Sequence, residues 1–128
     1  MSRELKFRAW ANGYKKYCEY VDYSDGVWIG YVKAPKGLLA TTNITVEQYT
    51  GIEDKDGKEI YEGDIVWWEH YNGMNGKMSE HKAEVYYDEK LAGYFVSYAD
   101  TSLSELIMEE EVYINTNIHE NTEFLEEK

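Results

Sequence analysis

The 128-residue chain is expected to fold as a mainly β (α+β) protein: a small barrel-like antiparallel sheet with one or two short helices near the C-terminus. Three observations predict this. The dominant hydrophobic period is two, the spacing of a half-buried strand. Gly- and Asp-containing turn signals separate the alternating runs at short intervals. Only the last third carries apolar residues at helical spacing behind a capping pattern.

Taken in order, Leu5-Lys6-Phe7-Arg8-Ala9 alternates apolar residues with cations, as on a strand with Lys6 and Arg8 on its wet face. Tyr17–Tyr23 and Val27–Val32 are rich in aromatic and β-branched residues, and Ser24-Asp25-Gly26 between them reads as a hairpin turn. Residues 33–42, with Pro35 and Gly37, read as a loop, and Ile44–Tyr49 as another strand. Asp54-Lys55-Asp56-Gly57 and Glu62-Gly63-Asp64 are turns, with Gly57 suited to positive φ. Ile65–His70 is apolar or aromatic on both faces, as in a strand buried on both sides. Asn72–Gly76 reads as a hairpin tip, and Lys82–Tyr87 and Gly93–Tyr98 as strands joined through Asp88-Glu89-Lys90.

Ser102-Leu103-Ser104-Glu105 matches a capping box, with Leu103, Leu106 and Ile107 one turn apart. That helix is expected to be short, because Glu109-Glu110-Glu111 sets anions where the helix dipole disfavours them. Val112–Ile114 with Ile118 suggests a final strand, and Asn121–Leu125 a capped closing turn.

Charge narrows the function classes. With 13 Lys+Arg against 25 Asp+Glu the net charge is −12, which repels phosphate, so direct nucleic-acid binding by the whole surface is disfavoured. The charge is uneven: residues 1–16 hold five bases against one acid, and residues 91–128 one base against nine acids. Such a balance serves solubility and also attracts basic partners. The one cysteine, Cys18, has no internal disulfide partner, and the opening MSRELKFRAW is charged where a signal peptide is apolar. A cytoplasmic location is therefore expected. The longest apolar run, Ile65–Trp68, is far short of the ~20 residues of a membrane helix, and no membrane association is expected.

No catalytic constellation emerges, and the chain is read as a non-enzyme with no cofactor, metal or small-molecule substrate. His70, His81 and His119 share no short ligand spacing. A calcium loop over Asp54–Gly63 fails on register: starting at Asp54 puts Lys58 fifth, where an oxygen is needed. Aligning Gly57 at the sixth position puts Ile52 first and Gly63 last, so both end carboxylates are lost. No nucleophile elbow or phosphate-cradling loop occurs. Aromatics make up 16% of the chain, and Tyr and Trp, with an apolar body and a polar tip, suit both a small core and a protein interface. Trp67 and Trp68 point to opposite faces of one strand, so at least one is expected in the core and the other is a candidate anchor.

At three places the sequence resembles the YopX family of phage and prophage proteins. These are Leu5-Lys6-Phe7-Arg8-Ala9-Trp10, the central block from Gln48-Tyr49-Thr50-Gly51-Ile52 through Glu62-Gly63-Asp64-Ile65-Val66, and Ile114–Leu125. The closing segment departs from the family's more usual Gly at Thr116 and Pro at Thr122. The resemblance implies a small, mainly β protein with helical additions, from temperate phages, without an established biochemical activity. It brings no catalytic or ligand-binding residues to carry over.

The expected organisation is a single domain over residues 1–128, with a β segment over 1–50, a barrel-like region over 58–100 and a C-terminal segment over 101–128. The expected function is that of a phage or prophage accessory protein, a non-enzymatic module that binds a host protein or its own copies. Trp68, Glu109, Glu110 and Glu111 are its candidate contact residues. The alternatives are an acidic DNA mimic that sequesters a DNA-binding protein, and a small-barrel nucleic-acid-binding module.

Overall fold

The computed structural model describes residues 5–97 and 101–121. Over these the chain is mainly β, with one short helix near the C-terminus and a curled half-barrel sheet. It divides into two compact units, Met1–Tyr49 and Thr50–Lys128.

The first unit holds β1 (Phe7–Ala11), β2 (Lys16–Tyr17), β3 (Tyr20–Ser24), β4 (Val27–Ala34), β5 (Gly37–Thr41) and the start of β6 (Ile44–Glu53). Strand β1 pairs antiparallel with both β2 and β6, while β3, β4 and β5 form a separate meander. Asp25 and Gly26 both take positive φ, 51° and 80°, the two-residue turn whose twist suits a tight hairpin. Ala9, Trp10, Ala11, Val32 and Tyr49 are buried.

Two expectations fail in this unit. Residues 33–42 are not an open loop: Pro35-Lys36 turns the chain and Gly37–Thr41 pairs with β4. Nothing in Gly-Leu-Leu-Ala-Thr alternates, and the strand is exposed along most of its length, so its cue is the turn chemistry rather than a period. Nor is Arg8 on a wet face. It stands opposite Glu47 in the β1–β6 register, its Nε donates to Glu47 Oε1 at 2.8 Å, and its guanidinium lies 4.4 Å from the centre of the Tyr17 ring. Glu47 is buried at 4% exposure and also accepts from the Tyr17 hydroxyl. Phe7, by contrast, is exposed and rests on Trp28. A charge pair satisfied across two strands thus draws Arg8 inward, while Lys6 is exposed and Ala9 buried as the alternation predicts.

The second unit holds the end of β6, then β7 (Glu59–Tyr61), β8 (Asp64–Asn72), β9 (Lys77–Asp88), β10 (Gly93–Val96), α1 (Leu103–Glu109) and β11 (Tyr113–Asn117). The half-barrel runs β10-β9-β8-β11 and stays open, with β10 and β11 as its edges. Strand β8 is buried from Asp64 to Val66 and exposed from Glu69 onward, so the two-sided burial expected for Ile65–His70 covers only its first half. The β8–β9 register sets Val66 opposite Ala83 and Trp68 opposite His81 on one face, with Trp67 opposite Lys82 on the other. The first face belongs to a core of Ile60, Val66, Trp68, Ala83, Val85, Val96, Leu103, Leu106 and Val112.

The turn after β6 is a knot of backbone donors on one carboxylate. Asp54 Oδ1 accepts from the N–H groups of Asp56 and Lys58, each at 2.9 Å, and Oδ2 accepts from Ile114 N–H at 3.0 Å. Gly57 follows at φ 82°. Helix α1 starts as expected, with Ser102 Oγ accepting from Glu105 N–H at 3.2 Å. Tyr98 and residues 122–125 of the expected closing turn lie outside the described residues.

Candidate functional site

The cleft that gathers aromatic and acidic side chains lies in the second unit, where α1 ends and β11 begins. Tyr113 at the start of β11 stands opposite Trp67 of β8, and β8 runs on to Asn72 beyond that point without a β11 partner. The cleft has a volume of about 490 Å³ and is lined by Trp67, Glu69, Met78, Glu109, Glu110, Glu111 and Tyr113.

Each side chain arrives there by simple geometry. Trp67 and Glu69 are two residues apart on β8 and so share a face. Met78 reaches the same face because β9 pairs Met78 with Tyr71, again on the odd-numbered side of β8. The rings of Trp67 and Tyr113 lie 5.8 Å apart at 44°. The three glutamates come from the last residue of α1 and the two that follow it. No basic residue sits in the last turn to offset them.

Two of the carboxylates are already engaged. Glu110 Oε1 lies 2.7 Å from His70 Nδ1, with the Glu110 side chain largely covered and His70 largely exposed. Glu111 stands 3.8 Å from Lys55 Nζ at the surface, a pair of little energetic weight. The carboxylates of Glu69 and Glu109 have no hydrogen-bond or ion-pair partner among the described residues. An aromatic pair, a thioether and four carboxylates line an open cleft, an arrangement with the chemistry to attract a cationic group: the rings present negative π faces and the carboxylates the counter-charge.

Of the residues the sequence singled out, Glu109, Glu110 and Glu111 meet in this cleft, and Trp68 does not. Trp68 is 7% exposed, stacks on His81 at 5.4 Å and belongs to the core. Its neighbour Trp67 faces the cleft instead. The choice between them needs the register with β9, where Ala83 and Val85 are buried on the side of Trp68 and Lys82 is exposed on the side of Trp67. Met78 and Tyr113 are not legible in the sequence, because they share the site only through strand pairing, and Glu69 follows only once Trp67 is known to face the cleft.

Other chemistry is sparse among the described residues. No group of three or more His, Cys, Asp or Glu side chains is placed to hold a metal ion. No helix is long and apolar enough to cross a membrane. Burial raises the Cys18 thiol above its ordinary range, which lowers its thiolate fraction near neutral pH.

No curated protein matches the chain significantly. The fold is similar to that in a crystal structure of protein EF1440 from Enterococcus faecalis, with a TM-score of 0.67 and 24% sequence identity over 97% of this chain and 99% of that one. The family described as YopX protein matches residues 6–126, nearly the whole sequence, and the chain accordingly belongs to the YopX family.

Proposed function

We propose that the protein is a phage or prophage accessory protein of the host cytoplasm, a non-enzymatic module whose acidic, aromatic-lined cleft takes a Lys- or Arg-rich segment of a partner protein. The observation that carries this reading is the convergence of Trp67, Tyr113, Met78 and four glutamates on one open cleft. A second feature points the same way. Glu109, in the last turn of α1, opposes the helix dipole at a cost of about 0.3–1 kcal/mol. Acids kept where they cost stability suit a surface selected for binding rather than for folding. The acids surround a concavity holding two aromatic rings, which favours a cationic side chain over duplex mimicry as the reading of this face.

The test compares the wild type with a Glu109→Lys/Glu111→Lys double variant in pull-downs from nuclease-treated host lysate. A labelled Lys- and Arg-rich peptide is titrated in parallel at low and high salt. The wild type is expected to capture a basic protein in stoichiometric amount and to bind the peptide, both lost at high salt. The variant is expected to lose both while melting at the same temperature or higher. Equal capture by the two proteins, or binding by neither, overturns the reading.

A further inference from the structure

The meander of the first unit ends in an edge that is unlike the others. Strand β5 is the outer strand of the order β3-β4-β5, and Gly37, Leu38, Leu39 and Ala40 are all exposed. Edge strands are normally guarded by charges, prolines or brevity, because their outward N–H and C=O groups invite another strand. The edges β2, β3 and β7 carry Lys16, Asp22 and Glu59, and β10 and β11 are uncharged but half-covered. Among the described residues, β5 alone is uncharged, exposed and five residues long.

The registers identify which of its backbone groups point outward. The two-residue turn at Pro35-Lys36 makes Ala34↔Gly37 a hydrogen-bonded pair, so Val32↔Leu39 and Gly30↔Thr41 are too. The other side of β4 agrees, since the Tyr31 carbonyl is used by Glu19 N–H and the Lys33 carbonyl by the Lys16 ammonium. Leu38 and Ala40 therefore turn both their N–H and their C=O away from β4.

We propose that β5 pairs antiparallel with β5 of a second copy of this chain across a two-fold axis at Leu39. In that register Leu38 stands opposite the partner's Ala40 and Ala40 opposite the partner's Leu38, so all four outward groups on each strand find partners. A two-fold contact brings each patch against itself, so it is tolerated only where like charges do not meet. Here β5 has none. Its unit, residues 1–49, holds seven basic and five acidic residues, whereas residues 50–128 hold six against twenty. The pairing strand thus lies in the stretch of net +2 and not in the one of net −14.

Sedimentation velocity across a concentration series tests this. The wild type is expected to approach twice its 15.0 kDa mass as concentration rises. Leu39→Lys and Leu39→Glu, at an exposed position, are each expected to stay at 15.0 kDa with an unchanged circular dichroism spectrum. Mixed in equal amounts, they are expected to recover the doubled mass, since opposite charges then face one another at the axis. A wild type that remains monomeric, dimers that persist in either single variant, or a mixture that fails to dimerise each overturns the pairing. Leu39 is not among the residues that line the acidic cleft, so peptide binding there is expected to survive in both variants.

Discussion

Asp54 shows how much one side chain can hold. Its two oxygens serve three backbone N–H groups, one of them sixty residues further along the chain, and it is 7% exposed. Replacing it by alanine leaves those donors without an acceptor inside a folded turn. Asp54→Ala is expected to cost about 3 kcal/mol in urea unfolding, and Asp54→Asn less, since one oxygen remains. A loss below about 1 kcal/mol would mean that water replaces the carboxylate freely. At this scale the sequence was partly legible. Asp54 stood in a recognised turn and failed as a calcium ligand on register, but its bond to Ile114 N–H depends on where β11 comes to lie. Arg8 was misread for a related reason: alternation assigns faces on the assumption that cations seek water, and Glu47 supplies a buried alternative.

At the level of elements, turn chemistry and capping were the dependable signals. Asp25-Gly26, Gly57, Gly63 and Ser102 each mark a boundary that the structure keeps, because the backbone conformation or the unpaired helix donors there admit few residue types. Strand β5 leaves no mark in the hydrophobic pattern, because its residues are exposed along most of its length and no period records that. The cleft was half legible: the three glutamates are contiguous, whereas Trp67, Met78 and Tyr113 come from three strands. Helix α1 gives the prediction at this scale. It has seven residues, too few to be stable alone, and its Leu103 and Leu106 are core residues. Ser102→Ala is expected to lower stability by about 1 kcal/mol and to leave peptide binding at the cleft within about twofold, measured by thermal melting and by the same titration. A large loss of binding with little loss of stability would show that the cap orients the glutamates directly.

For the whole molecule, charge is the governing quantity. A net charge of −12, concentrated as −14 on residues 50–128, opposes the compact state by self-repulsion. Screening is therefore expected to help: raising sodium chloride from near zero to about 0.1 M, where the Debye length is about 10 Å, should raise the melting temperature by a few degrees. A flat or falling response would mean that local pairs such as Arg8–Glu47 outweigh the long-range field. The division at Tyr49 has a different kind of consequence, one that concerns synthesis. Strands β1 to β5, and the part of β6 that pairs with β1, are complete once residue 49 has left the ribosome. The second unit must wait: β8 gains its β11 neighbour, and Asp54 its third donor, only when Ile114 has emerged. A nascent chain halted between those points would carry a finished first half and, exposed beside it, the apolar run Ile65–Trp68 with one edge still unpaired, the stage at which a growing chain of this protein has greatest need of a chaperone.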